Sequence, residues 1–273
     1  MRKKLLNGPY LAWMLIFAIL PLFIVVWYAL TAEIGGERSF SAGSLARVFE
    51  PIYLRVLWRS LKLAAVSTLL CFFFGYPVAL ILTSRQFKRR TILVVLIVLP
   101  MWMNFLARTY AWLTLLEKNG VINSVLSFLH LPALSILYTD AAVVLGMVYN
   151  FLPFMILPIY SVLYKIDHSL IEAAEDLGAT PLVTFRRVIF PQSLAGALSG
   201  VIMVFMPAMT TFVIPRLLGG GQYTLIGNLI EQQFLTTYDW GFGSALSLFL
   251  MALLLVTGAL LMRSRGDGEG GLW

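Results

Sequence analysis

Apolar side chains run through the chain in six long stretches, at roughly residues 9–32, 57–84, 91–116, 141–164, 192–215 and 241–262. Each is about as long as the roughly 20 residues a helix needs to cross the hydrocarbon of a bilayer. Charges scarcely interrupt them, and the polar residues collect in between. The pattern predicts an all-α polytopic transmembrane bundle of six spans. The whole chain, 1–273, is expected to form one membrane domain.

Composition points the same way. Of the 273 residues, 60% are hydrophobic and 12% charged, with a mean hydropathy of +0.87, far from the half-apolar, quarter-charged average of water-soluble domains. The first stretch follows Arg2, Lys3 and Lys4 as a secretory signal would, yet it runs from about Pro9 to Ala32, too long for a cleaved apolar core, and is expected to be retained.

The net charge of +7 does not indicate nucleic acid, because the basic residues sit in short clusters at the ends of apolar stretches rather than on one face. That placement reports topology. With an even number of spans both termini share a side, and cytoplasmic loops carry the Lys and Arg excess. Placing the termini in the cytoplasm puts Arg2, Lys3, Lys4, Arg85, Lys88, Arg89, Arg90, Lys165, Arg186, Arg187, Arg263 and Arg265 inside, 12 of the 20 basic residues, in tight groups. The remainder are scattered.

Nearly every stretch carries a proline: Pro21, Pro77, Pro100, Pro153, Pro158, Pro207 and Pro215. Each removes a backbone donor, and the freed carbonyl needs another partner inside the bilayer. Ordinary kinks and a bundle that moves around a cavity are both consistent with this.

The segment Lys165–Pro191, between the fourth and fifth stretches, is the most polar inside the chain. Ser169 followed by Glu172 has the spacing of a capping box and predicts a helix start. Gly178 suits the left-handed turn that ends a helix. Thr180 and Pro181 suit the cap and first residue of a second helix, which Pro191 is expected to end. The product is a short cytoplasmic helix-turn-helix with the small residues Ala173 and Ala174 exposed for close approach.

The pattern Glu-Ala-Ala, three residues, Gly, nine residues, then Val188-Ile189-Phe190-Pro191 resembles the signature of permease subunits of binding-protein-dependent ABC importers. Glu172, Ala173, Ala174, Gly178 and Pro191 match it in spacing, while Val188 and Phe190 replace the usual Ile and Leu. The resemblance implies that Glu172, Ala173, Ala174, Asp176, Gly178, Ala179, Arg186 and Pro191 couple the membrane helices to an ATPase. A solvated amphipathic loop is the plainer alternative.

Wider stretches are more specific: Gly75-Tyr76-Pro77, residues 99–104, 146–154 and 239–243, and Ile226-Gly227-Asn228. They are similar to the permeases of spermidine/putrescine importers, which have the MetI-like permease fold. That likeness implies a homologous second permease, two ATPase subunits that bind ATP and Mg, a soluble substrate-binding protein, and the bacterial inner membrane.

This chain has no chemistry of its own to supply. No Gly-Lys pair is present for a phosphate-binding loop, and no HExxH for a metal. His130 and His168 are expected in loops on opposite sides, and Cys71 is the sole cysteine, so neither a metal site nor a disulfide is expected within it. It is expected not to be an enzyme.

For a cationic substrate, carboxylates and aromatic faces would line the path. The candidates are Trp102, Asn104, Tyr110, Glu117, Tyr149, Asn150, Glu231 and Asp239, with Trp112 and Tyr160 nearby. Each external acid taken alone could equally be a solvated loop charge, and aromatic residues near span ends also serve as interface anchors. Arg108 would repel a polycation unless it is paired or turned away. Importers of iron, sulfate, thiamine and other small solutes share the coupling signature. A secondary transporter would need an acid at membrane depth, and an intramembrane enzyme would need paired catalytic groups there.

Overall fold

The computed structural model describes residues 13–34, 37–84, 90–221 and 224–269. Arg2, Lys3, Lys4, Arg85, Lys88, Arg89 and the opening residues of the first apolar stretch lie outside them. So do the side chains of Glu33, Glu37, Arg38, Arg90 and Arg265.

The described chain is almost all helical. Helix α1 spans Leu15–Leu30 and opens with a π turn, Leu15–Ile19. Strands β1, Thr31–Ile34, and β2, Glu37–Phe40, pair antiparallel with Thr31 opposite Phe40, and α2 covers Gly43–Arg47. Then come α3, Pro51–Thr83; α4, Arg90–Val98, extended by a 3-10 turn at Leu99–Trp102; α5, Phe105–Leu116; and α6, Val121–Phe128. They are followed by α7, Asp140–Leu163; α8, His168–Asp176; α9, Pro181–Thr210; and α10, Val213–Leu218. The last two are α11, Ile226–Leu235, and α12, Trp240–Glu269.

Among the described residues four helices are long and apolar enough to cross a membrane: α3, α7, α9 and the Trp240–Arg263 part of α12. The third apolar stretch, expected as one span, breaks after Trp102, and the two parts are bent by 92°. Pro100 denies the helix a donor there, and Asn104 starts the next helix by accepting from the N–H groups of Leu106 and Ala107 at 2.8 and 3.2 Å. The fifth stretch also divides. Helix α9 starts earlier than expected, at Pro181, and stops at Thr210, leaving α10 separate.

The chain forms two compact units, residues 1–58 with 226–256 and residues 59–225 with 257–273, and α3 and α12 contribute to both. In the first, Arg47 pairs with Asp239 at 2.8 Å and lies 4.1 Å from the centre of the Phe242 ring. Burial of Phe242 against Tyr53, ring centres 4.6 Å apart, completes this cluster. The Asp239 hydrogen bond holds the Arg47 guanidinium above its ordinary pKa.

The second unit is built on α7 and α9, which pack along each other. Small residues permit the approach. A Cβ on Gly196 would lie 2.8 Å from the Pro158 carbonyl oxygen, and one on Gly200 would lie 2.7 Å from the Met155 sulfur. Gly196 and Gly200 are four residues apart, the spacing by which membrane helices bring their backbones together. Gly75 of α3 meets the same Met155, where a Cβ would be 3.1 Å away. Around this seam Met147, Ile156, Ile159, Val204 and Met209 are buried. Arg59 and Asp140 join α3 to the first turn of α7 at 2.5 Å, where the helix dipole favours the carboxylate.

Candidate functional site

The segment between α7 and α9 forms an elbow of two helical pieces. Its first helix starts at His168 with Asp167 as the cap, whose side chain accepts the Ser169 N–H at 3.0 Å. That hydrogen bond holds the Asp167 carboxyl below its ordinary pKa. The capping box expected at Ser169 and Glu172 therefore does not form. Aspartate two residues upstream takes the role, and Glu172 turns to His168 Nδ1 at 3.0 Å. His168, expected in a loop, is the first residue of α8.

The end of α8 agrees with the sequence. Gly178 has φ +79°, its N–H donates to the Glu175 carbonyl at 2.8 Å, and the Ala179 N–H donates to the Ala174 carbonyl at 3.0 Å. These are the paired bonds that close a helix through a left-handed glycine. Thr180 and Pro181 then cap and begin α9, as expected.

Pro191 does not end that helix. It lies within α9, just past a π turn at Phe185–Ile189, where the Phe190 N–H reaches back to the Phe185 carbonyl. A π turn inserts one extra residue and commonly marks functional positions. It gives the chain a continuous path from elbow to long apolar helix despite the proline.

The elbow leaves apolar side chains bare. Leu177 is 89% exposed, and Leu170, Leu182 and Val183 are exposed too, together with Ala173; Ala174 is half-buried. Glu172, Glu175, Asp176, Arg186 and Arg187 frame them in the open. Beneath the elbow, Tyr76 of α3 is buried, its hydroxyl 2.6 Å from Ser193 Oγ and its ring centre 5.9 Å from those of both Phe185 and Phe190.

The expected substrate-path residues stand in different local surroundings. Trp102 and Tyr110 are exposed, and Asn104 is engaged as a helix cap. Tyr149 meets Trp112 edge to face, ring centres 5.3 Å apart. Asn150 is 1% exposed; its amide nitrogen donates to the Gly146 carbonyl at 2.9 Å, while its Oδ1 has no partner. Glu117 lines a cavity of about 480 Å³ with Leu116, Lys118, Leu134 and Tyr138. Asn123 braces two sides of it by donating to the Glu117 and Leu134 carbonyls.

In the first unit Glu231 is half-buried. Asp239 is engaged on both oxygens, one with Arg47 and the other accepting the Phe242 N–H at 3.0 Å. Arg108 is buried, its guanidinium 6.0 Å from the Phe105 ring centre and its Nε without a hydrogen-bond partner. Among the described residues no group of His, Cys, Asp and Glu could hold a metal ion.

Sequence reasoning missed the contacts that set this geometry. Met155 between Gly75 and Gly200 had a signal in Gly196-Ala197-Leu198-Ser199-Gly200. The pairs Arg47–Asp239 and Tyr76–Ser193 had none, since their members are remote along the chain.

Long apolar helices joined by short polar elements make this a multi-pass membrane protein. Residues 72–264 match the family described as "Binding-protein-dependent transport system inner membrane component". The chain belongs to that family. It is 38% identical over 262 residues to the Haemophilus influenzae spermidine/putrescine transport system permease protein PotB, covering 93% of this chain and 91% of that one. Identity to PotB of Escherichia coli is also 38%, over 92% of each chain. In fold it is similar to a chain of a bacterial alginate ABC transporter solved in complex with an alginate-bound periplasmic protein, with a TM-score of 0.82 at 19% identity, covering 99% of this chain and 97% of that one.

Proposed function

We propose that this chain is a permease subunit of an ATP-dependent, binding-protein-linked importer, forming half of a translocation path for spermidine and putrescine. The observation that carries the coupling role is the elbow: an exposed amphipathic helix, sharply capped at Gly178, followed by a second helix that runs through a π turn into a long membrane helix. An apolar face of that kind suits insertion into a groove of a second protein. The 38% identity to PotB over more than nine-tenths of both chains supports the polyamine as cargo.

In this reading α1, α3, the broken α4–α5 pair, α7, α9 and α12 make six passes through the bacterial inner membrane, with both termini and the elbow in the cytoplasm. Residues 165–191 are the coupling loop of a single permease domain. Glu172, Ala173, Ala174, Asp176, Gly178, Ala179, Arg186 and Pro191 build the elbow that a PotA-like ATPase grips. ATP and Mg bind there and not in this chain, which performs no catalysis. A PotC-like permease completes the path, and a PotD-like soluble protein delivers the substrate.

Asn150, with a buried acceptor to spare, and the Trp112–Tyr149 pair are the groups best suited to a passing ammonium. One observation favours a different cargo: the buried Arg108 guanidinium would suit an anionic solute. The two separate in proteoliposomes holding the full complex. ATP-driven uptake of labelled spermidine, delivered by the cognate binding protein, is expected. A binding protein that ignores polyamines ends the substrate assignment and leaves the architecture standing.

A further inference from the structure

We infer that Tyr76 is a positioning residue that makes α3 follow the elbow, with the π turn at Phe185–Ile189 as the hinge between them. This rests on the coupling role proposed for α8.

The geometry is specific. Ser193 Oγ donates to the Phe190 carbonyl at 2.9 Å, which uses its only proton, so the Tyr76 hydroxyl is the donor in their 2.6 Å bond. Both residues are buried, Tyr76 at 5% and Ser193 at 0% exposure, so no water competes for this bond. The Tyr76 ring touches both ends of the π turn. It stands edge-on to Phe185, the first residue, at 86°, and against Phe190, the residue that closes the turn, and those two rings are themselves 6.0 Å apart. One side chain of α3 therefore holds the hydroxyl beyond the turn and the rings at each end of it.

The turn itself departs from α geometry at a defined place. Pro191 has no N–H to offer the carbonyls behind it. Thr184, at the mouth of the turn, is 3% exposed, and its hydroxyl has no partner. A helix with incomplete hydrogen bonds and one surplus residue can return to α geometry only by shifting register, which turns everything before it by about 100°. Such a discrete alternative is what a mechanical switch requires. Helix α3 is yielding at the matching place, since Pro77 removes a donor one residue beyond Tyr76. Gly75 meanwhile keeps the backbone against Met155.

The test uses the complete complex in proteoliposomes, with Tyr76→Phe and Ser193→Ala as near-isosteric variants. Two readouts are taken: ATP hydrolysed per spermidine imported, and the ATP-dependent change in amide exchange across residues 72–83. Loss of one buried hydrogen bond is expected to lower uptake about five-fold while hydrolysis stays within about two-fold of wild type. The exchange response of 72–83 should shrink in the same variants. The double variant should be no worse than either single one, because both remove the same bond.

Hydrolysis and uptake falling in proportion would reduce Tyr76 to a structural role and overturn the inference, as would an unchanged exchange response. Ala173→Glu separates the underlying premise. If it releases the ATPase while Tyr76→Phe behaves as wild type, only the Tyr76 role fails. If it leaves ATPase binding intact, the coupling role fails and the inference with it.

Discussion

The sulfur of Met155 fills the space that a side chain on Gly200 would need, with only 2.7 Å to a Cβ built there. Gly200→Val is therefore expected to force α9 away from α7 and to destabilise the protein by about 1–3 kcal/mol, as overpacking a close contact does. Pairing it with Met155→Ala should recover part of the loss. Thermal unfolding in detergent measures both, and a single variant as stable as wild type would contradict the contact.

Leu177 and Ala173 are exposed, so changing them leaves the subunit's own packing intact. Leu177→Asp and Ala173→Glu are expected to leave the membrane level of the chain unchanged, since exposed substitutions typically shift stability by less than about 0.5 kcal/mol. Co-purification of the proposed ATPase partner should fall at least about ten-fold, because a charge would be buried in an apolar contact. Quantitative pull-down decides it.

Asn150 presents the opposite case. Its Oδ1 is buried and unpaired, a situation that is destabilising by about 1–3 kcal/mol in general. Asn150→Leu, alike in its branched outline, is expected to leave unfolding unchanged or raise its midpoint, while uptake declines if the acceptor serves the cargo. A variant both less stable and equally active would place Asn150 in the scaffold instead.

Asp167 gives the elbow a pH response. Its folded pKa lies below the ordinary 3.8, lowered first by the Ser169 backbone hydrogen bond. The cap therefore contributes fully above 3.8 and is lost as pH falls through the lower folded value. At neutral pH, Asp167→Ala should speed amide exchange at the start of α8; below the folded value, wild type and variant should converge. Equal exchange at pH 7 would rule out the cap.

Asp239 does two jobs and Arg47 one of them. The ion pair is partly exposed, at 44% and 35% of the side chains, and is expected to contribute only about 0.2–1 kcal/mol. Asp239→Asn keeps both an oxygen for the Phe242 N–H and the guanidinium over the Phe242 ring and should cost no more than Arg47→Met, whereas Asp239→Ala should cost about 1 kcal/mol more than Asp239→Asn through the lost cap. Three equal unfolding midpoints would contradict this division.

How much of this was legible follows from the range of the interactions. Local signals were readable: apolar runs became helices close to their expected places, and Gly178, Thr180 and Pro181 behaved as their backbone preferences require. Where two local signals competed, the reading failed. Ser169 and Asp167 both have cap-forming side chains, and the helix starts earlier, at His168, with Asp167 accepting the Ser169 N–H. Pro191 read as a terminator because the periodicity of 3.6 residues has no place for a π turn. The 92° bend was hidden for a related reason, since hydropathy reports how apolar a stretch is and not whether it is straight. Residue type alone also said nothing of the capping roles of Asn104 and Asp239, which depend on where the next helix begins.

Leu177, at 89% exposure, forms with Leu170, Leu182 and Val183 an apolar patch on the elbow that the proposed coupling role would cover with a partner. On that reading a copy made without the partner would leave the patch bare, open to the chaperones and proteases that recognise such greasy spots.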